Sequence, residues 1–140
     1  MKSLIIFLML FALIGCGGGA NTANTNAATV TGDVRVDILV KALPEGRELE
    51  FTFHTSQPTK PGDRTGGAKQ VIQVEEAKLN GTALTPATNL SGETIYKTEG
   101  NKAKADNVVT AKINGKQYQG STLLETALAN KMTTVTLMPK

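Results

Sequence analysis

Few residues of this 140-residue chain are equipped for chemistry, since it has one cysteine, Cys16, and one histidine, His54. A hydrolase triad or a histidine-based metal site would rest on that single imidazole. Ser56 stands two residues beyond His54, on the same side of an extended strand, and Asp33 and Asp37 are carboxylates that folding can bring near it. No serine sits in a nucleophile-elbow pattern. Gly62-Asp63-Arg64-Thr65-Gly66-Gly67-Ala68-Lys69 has the composition of a phosphate loop without its spacing, and Gln70 stands where a hydroxyl is needed. Met132 and Met138 could join His54 around a soft metal ion, but flexible apolar side chains are expected to fill the core. The expectation is a non-enzyme, with no catalytic residue, no cofactor and no metal ligand.

Cys16 is different, because its surroundings define its chemistry. Met1-Lys2-Ser3 carries one positive charge and residues 4–14 form an unbroken apolar run. At about 1.5 Å per residue the run falls well short of the roughly 20 residues needed to cross a bilayer core. Small residues follow it, where a stop-transfer segment would have a basic flank, so residues 1–15 are expected to be a secretory signal. Leu13-Ile14-Gly15-Cys16 resembles the lipobox of bacterial lipoproteins, in which an apolar residue, a small or apolar one and a Gly or Ala precede the cysteine. The thiol is needed to form a thioether to diacylglycerol, and the small residue before it gives a peptidase access to the backbone. Acylation at Cys16 would hold the protein to a membrane without spanning it, each buried methylene contributing about 0.8 kcal/mol. Gly17, where an Asp would resemble an inner-membrane retention signal, points to the outer membrane of a two-membraned cell.

Residues 17–29 read GGGANTANTNAAT, uncharged and without apolar period, and are expected to form a flexible tether with an r.m.s. reach of roughly 20 Å. Residues 30–140 are then one domain. Without Lys2 the chain keeps 14 basic residues against 12 acidic ones, too even a balance for a nucleic-acid partner. Lys97, Lys102, Lys104, Lys112 and Lys116 outnumber Glu99 and Asp106 over their stretch and read as a solvated face. With its only thiol committed to lipid, the mature chain can form no internal disulfide and must be held by burial.

The domain alternates with period two. Val34, Val36, Ile38 and Val40 face one way between Arg35, Asp37, Leu39 and Lys41; Leu49, Phe51 and Phe53 alternate with Glu50, Thr52 and His54. Leu43-Pro44-Glu45-Gly46 supplies the turn that pairs these strands. Further strands are expected at 70–79, 94–98, 107–113, 116–119 and 133–138. Ala77-Lys78-Leu79-Asn80-Gly81 recurs as Ala111-Lys112-Ile113-Asn114-Gly115, each ending in the Asn-Gly pair suited to a type I′ hairpin. Residues 121–132 fit a helix face through Leu124, Leu128 and Met132 but also alternate, and an extended segment with a turn at Asn130-Lys131 is favoured. The expected fold is all-β: a single antiparallel β-sandwich of about seven strands, with a small barrel as the alternative.

Val30-Thr31-Gly32-Asp33-Val34 with Ala42-Leu43-Pro44-Glu45-Gly46, then Val109-Thr110-Ala111-Lys112-Ile113, Gly115 and a Leu-rich stretch into Thr133-Thr134-Val135-Thr136-Leu137, resemble the small periplasmic lipoproteins of the YscW/YbaY type. That family includes type III secretion pilotins. The resemblance covers the first and last thirds of the domain. It implies a lipid-anchored β-sandwich and, for some members, escort of a secretin subunit to the outer membrane. No site residue is carried over from it. The expected role is binding or assembly with a protein partner of the envelope, on its periplasmic or surface-exposed face. A structural or adhesive surface protein and a small-ligand or metal-binding domain are the alternatives.

Overall fold

The computed structural model describes residue 30, residues 33–56 and residues 69–140. The expected signal, Cys16, the tether and all of the Gly-rich loop at 57–68 lie outside the described residues. The described part is built from ten strands: β1 (Asp33–Leu43), β2 (Gly46–Ser56), β3 (Lys69–Val71), β4 (Glu76–Leu79), β5 (Thr82–Ala83), β6 (Thr85–Thr88), β7 (Thr94–Glu99), β8 (Asn107–Ile113), β9 (Lys116–Thr122) and β10 (Met132–Pro139). A short 3-10 turn at Gly100–Lys102 is the one helical element among the described residues.

All pairings are antiparallel, and the strands follow the order β5-β4-β8-β9-β10-β1-β2-β7-β6, with β3 beside β2. Two strands cross between layers. β10 pairs with β1 from Met132 to Leu137 and then with β9 at Met138 and Pro139. On the far side, Thr82–Ala83 pair with β4 and Thr85–Thr88 with β7, while Leu84 between them turns into the core. One sheet is thus β6-β7-β2-β1-β10 and the other β5-β4-β8-β9-β10, and the crossings make the sandwich nearly a barrel. The all-β expectation holds.

Alternation is what closes the core. Val34, Val36, Ile38 and Val40 of β1, Leu49, Phe51 and Phe53 of β2 and Val135 and Leu137 of β10, all in one sheet, meet Leu79, Val109, Ala111 and Ile113 from the facing layer. Phe53 and Tyr96 stack edge to face at 5.3 Å, a geometry that suits the ring quadrupoles. The strand expected over 70–79 is broken in two. Ile72 and Val74 bury themselves between β3 and β4, where the Tyr96 hydroxyl accepts from Val74 N–H and donates to Val74 C=O, each at 3.0 Å. Extra strands at β5 and β6 complete the ten.

The repeated pentapeptides form matching hairpins. Asn80 and Gly81 have φ of 52° and 84°, and Asn114 and Gly115 have 49° and 74°, the positive values a type I′ turn requires. The copies lie side by side, with Ala77 opposite Ala111. Gly120 is needed for another reason: a Cβ there would come within 2.6 Å of Thr136 O, because β9 crosses β10 at that point. Residues 123–131 are turns without helix, and Asn130 takes φ 60°, as the extended reading favoured.

Candidate functional site

The outward side of the β1–β2 ladder carries the polar residues singled out above. Alternation places Arg35, Asp37, Leu39, Glu50, Thr52, His54 and Ser56 on that side, with Arg35 directly opposite His54 and Asp33 opposite Ser56. His54 nevertheless has only 2% of its surface exposed, and Glu50 8%. Ile95, next to inward-facing Tyr96 and outside the core cluster, is 1% exposed. This outer face is therefore itself partly covered.

Asp37 is its centre. Its Oδ1 accepts from Thr134 Oγ1 at 2.6 Å, its Oδ2 accepts from Lys69 Nζ at 3.2 Å, and His54 Nδ1 lies 3.7 Å from the same oxygen. Burial pushes the carboxyl up, but the hydrogen bonds from Thr134 and Lys69 and the charges of His54 and Lys69 outweigh it and hold the group below its ordinary value. Of the two carboxylates expected near His54, the structure brings up Asp37, whereas Asp33 lies against Arg35 at 3.7 Å. His54 Nε2 is buried and has no hydrogen-bond partner, so no hydroxyl is poised on it for proton transfer. Lys41 pairs with Glu50 beside this cluster.

The methionines correct an expectation. Met132 and Met138 are 59% and 63% exposed and lie on the outward side of β10, not in the core, because their positions share the parity of Thr134 and Thr136. Six residues of strand separate them by roughly 20 Å, so they cannot share an ion with His54. Among the described residues no group of three or more His, Cys, Asp or Glu side chains is placed to hold a metal. The lysines do not form one face either: Lys97 pairs with Glu48 at 3.0 Å on one sheet and Lys112 with Glu75 at 3.5 Å on the other.

The two ends of the domain differ. The chain enters β1 at Asp33, the end that also holds Ser56, Lys69 and Pro139. The opposite end holds four of the six large exposed apolar side chains among the described residues, Leu90 and Met138 lying toward the Asp33 end. Leu43 stands at the β1–β2 turn, Met132 opposite Leu39, and Leu123 and Leu128 in the β9–β10 connection, the last two 69% and 54% exposed. Scattered apolar side chains are ordinary on a surface, but a gathering at one end marks an interaction surface. Beside Leu43 lie two adjoining clefts of ≈ 310 and ≈ 340 Å³, both lined by Arg47 and Glu99. Charges of both signs line them, which suits a protein surface better than a single small ion. The sequence hid this end, since its apolar residues belong to three separate segments. No protein-family model, no curated protein and no solved structure matches this chain.

Proposed function

We propose that the protein is a lipid-anchored envelope lipoprotein whose β-domain has a non-catalytic binding or assembly role, comparable to that of a pilotin. The observation that carries this reading is the apolar run at 4–14 ending in Leu13-Ile14-Gly15-Cys16. Cleavage before Cys16 and acylation of its sulfur leave residues 17–29 as the tether. That tether joins the domain at the Asp33 end, which leaves the end with Leu43, Leu123, Leu128 and Met132 unobstructed by it and available to a protein partner. The lack of a hydroxyl on His54 disfavours a hydrolase triad, and the exposed, widely spaced methionines disfavour a metal ion shared with it.

Metabolic labelling with an alkyne palmitate tests the anchor. The full chain is expected to take up label and fractionate with membranes. Cys16→Ala is expected to lose the label and accumulate as the uncleaved precursor. An unlabelled wild-type protein, or a labelled Cys16→Ala protein, would overturn the proposal.

A further inference from the structure

We propose that the paired clefts beside the β1–β2 turn bind a small zwitterion of peptide type, an apolar amino acid or a short apolar peptide with both ends free. Its carboxylate lies on Arg47, its ammonium on Glu99 and its side chain on Leu43. The inference adds a ligand to the binding role proposed above and does not depend on the anchor.

Leu43, Arg47 and Glu99 are the residues that line both clefts. One is an apolar side chain 45% exposed, one a cation and one an anion. They are the complements of the three groups that every apolar amino acid carries. At ≈ 310 and ≈ 340 Å³, each cleft lies at the small end of ligand pockets, which run from roughly 300 to 1,000 Å³. Either has room for a single residue, and the two together for a dipeptide.

The charges in these clefts are unspent. Elsewhere in the domain, opposite charges that come close are paired, Lys41 with Glu50, Lys78 with Glu76 and Lys112 with Glu75. Arg47 and Glu99 share both clefts, yet among the described residues neither forms an ion pair. The Arg47 guanidinium makes one long hydrogen bond, from Nη1 to Gly46 O at 3.4 Å, and its Nε is buried without a partner. A planar fork of donors left in this state suits a carboxylate, which accepts two N–H groups at once. Glu99 precedes the 3-10 turn but gives it no side-chain cap. It also stands directly opposite Glu48 across β2 and β7, an arrangement of like charges that costs stability. Lys97 neutralises Glu48 at 3.0 Å, and Glu99 is left for a cation from outside.

The cation of the site is held in place by the fold. A Cβ on Gly100 would come within 2.6 Å of Arg47 Cβ, so the 3-10 turn closes directly on the Arg47 stem and sets where the guanidinium begins. A single ion answers one sign of this site and leaves the other unmet. A zwitterion answers both.

Leucine, leucyl-leucine, leucinamide and N-acetyl-leucine are the probes, titrated into the isotopically labelled full chain in detergent micelles and followed by NMR. Leucine and leucyl-leucine are expected to shift the Leu43 methyls, the Arg47 Nε–H and the Glu99 amide, and the tighter of the two tells a free amino acid from a peptide. Leucinamide lacks the carboxylate and N-acetyl-leucine lacks the ammonium, and each is expected to bind about tenfold more weakly than leucine. The two preferences should be lost separately. Arg47→Gln is expected to bind leucine and leucinamide alike while still disfavouring N-acetyl-leucine, and Glu99→Gln to bind leucine and N-acetyl-leucine alike while still disfavouring leucinamide. Each variant is judged by a ratio between probes, which a general loosening of the domain does not imitate, and the exposed Glu99 gives its readout even where Arg47→Gln disturbs the fold. Equal binding of leucine, leucinamide and N-acetyl-leucine by the wild type, shifts at another part of the domain, or no shifts at all overturn the proposal. So do shifts at these three residues that grow with protein concentration alone, which would give the clefts to a second copy. Failure of palmitate labelling with intact leucine binding removes the anchor and leaves the site standing.

Discussion

The two faces of the β1–β2 ladder solve burial differently. Inward, Val34, Val36, Ile38, Leu49, Phe51 and Phe53 are apolar and at most 1% exposed. Outward, His54 and Glu50 are nearly as buried, yet they sit among ion pairs and hydrogen bonds centred on Asp37 and Lys41. The inner face gains stability from area removed from water. The outer face must satisfy polar groups to avoid losing it, and it does so incompletely, because His54 Nε2 and Glu50 Oε2 are buried without hydrogen-bond partners. Glu50 Oε2 still has its ion pair with Lys41, which leaves His54 Nε2 and, on the residue directly opposite, Arg35 Nε as the unmet groups of this face.

The difference predicts unequal responses to truncation. Phe53→Ala removes a fully buried ring and its contact with Tyr96, and is expected to cost about 3–5 kcal/mol in chemical denaturation. Asp37→Ala leaves Thr134 and Lys69 without their acceptor and is expected to cost less, about 1.5–3 kcal/mol. Equal losses at the two sites would erase the distinction between the faces. Only the outer substitution should change the acid limb. The Asp37 carboxyl is held below its ordinary value of 3.8, so the native state binds that proton less readily than the unfolded chain. The stabilisation is complete above that value and disappears as pH falls through the lower native one. Denaturation midpoints measured between pH 5 and pH 2 should therefore fall less steeply for Asp37→Asn than for wild type, and equally steeply for Phe53→Ala.

The inner face was legible in the sequence because period-two alternation records it directly, and the ends of β8 and both Asn-Gly turns could be read for the same local reason. Three features were not. The break at 72–75 follows from Tyr96, more than twenty residues away, whose hydroxyl replaces ladder partners for Val74. β5 and β6 are short, Thr-rich and contain Pro86, so neither propensity nor pattern marks them. The burial of His54 was invisible because an outward-facing polar residue looks solvated unless something is known to lie over it. Met132 and Met138 misled in the opposite sense: their apolarity suggested core, but their parity with Thr134 and Thr136 sets them outward. The anchor motif was the plainest signal in the chain and lies outside the described residues.

The smallest expected effect sharpens the comparison from the inner side. Tyr96 is the polar group that the inner face tolerates, and burial raises its phenol above the ordinary value of 10.0, against a smaller lowering from its bond with Val74. The native state then holds this proton more tightly than the unfolded chain, so stability is full below that value and declines as pH rises above it. Tyr96→Phe is expected to cost about 1–2 kcal/mol at neutral pH, since Val74 loses its partner, and to flatten the alkaline limb measured between pH 9 and pH 11. Asp37→Asn should leave that limb unchanged. If the two substitutions instead altered both limbs alike, the polar groups of the two faces would have to titrate as one coupled network, and their separation across the thickness of the sheet would carry no energetic meaning.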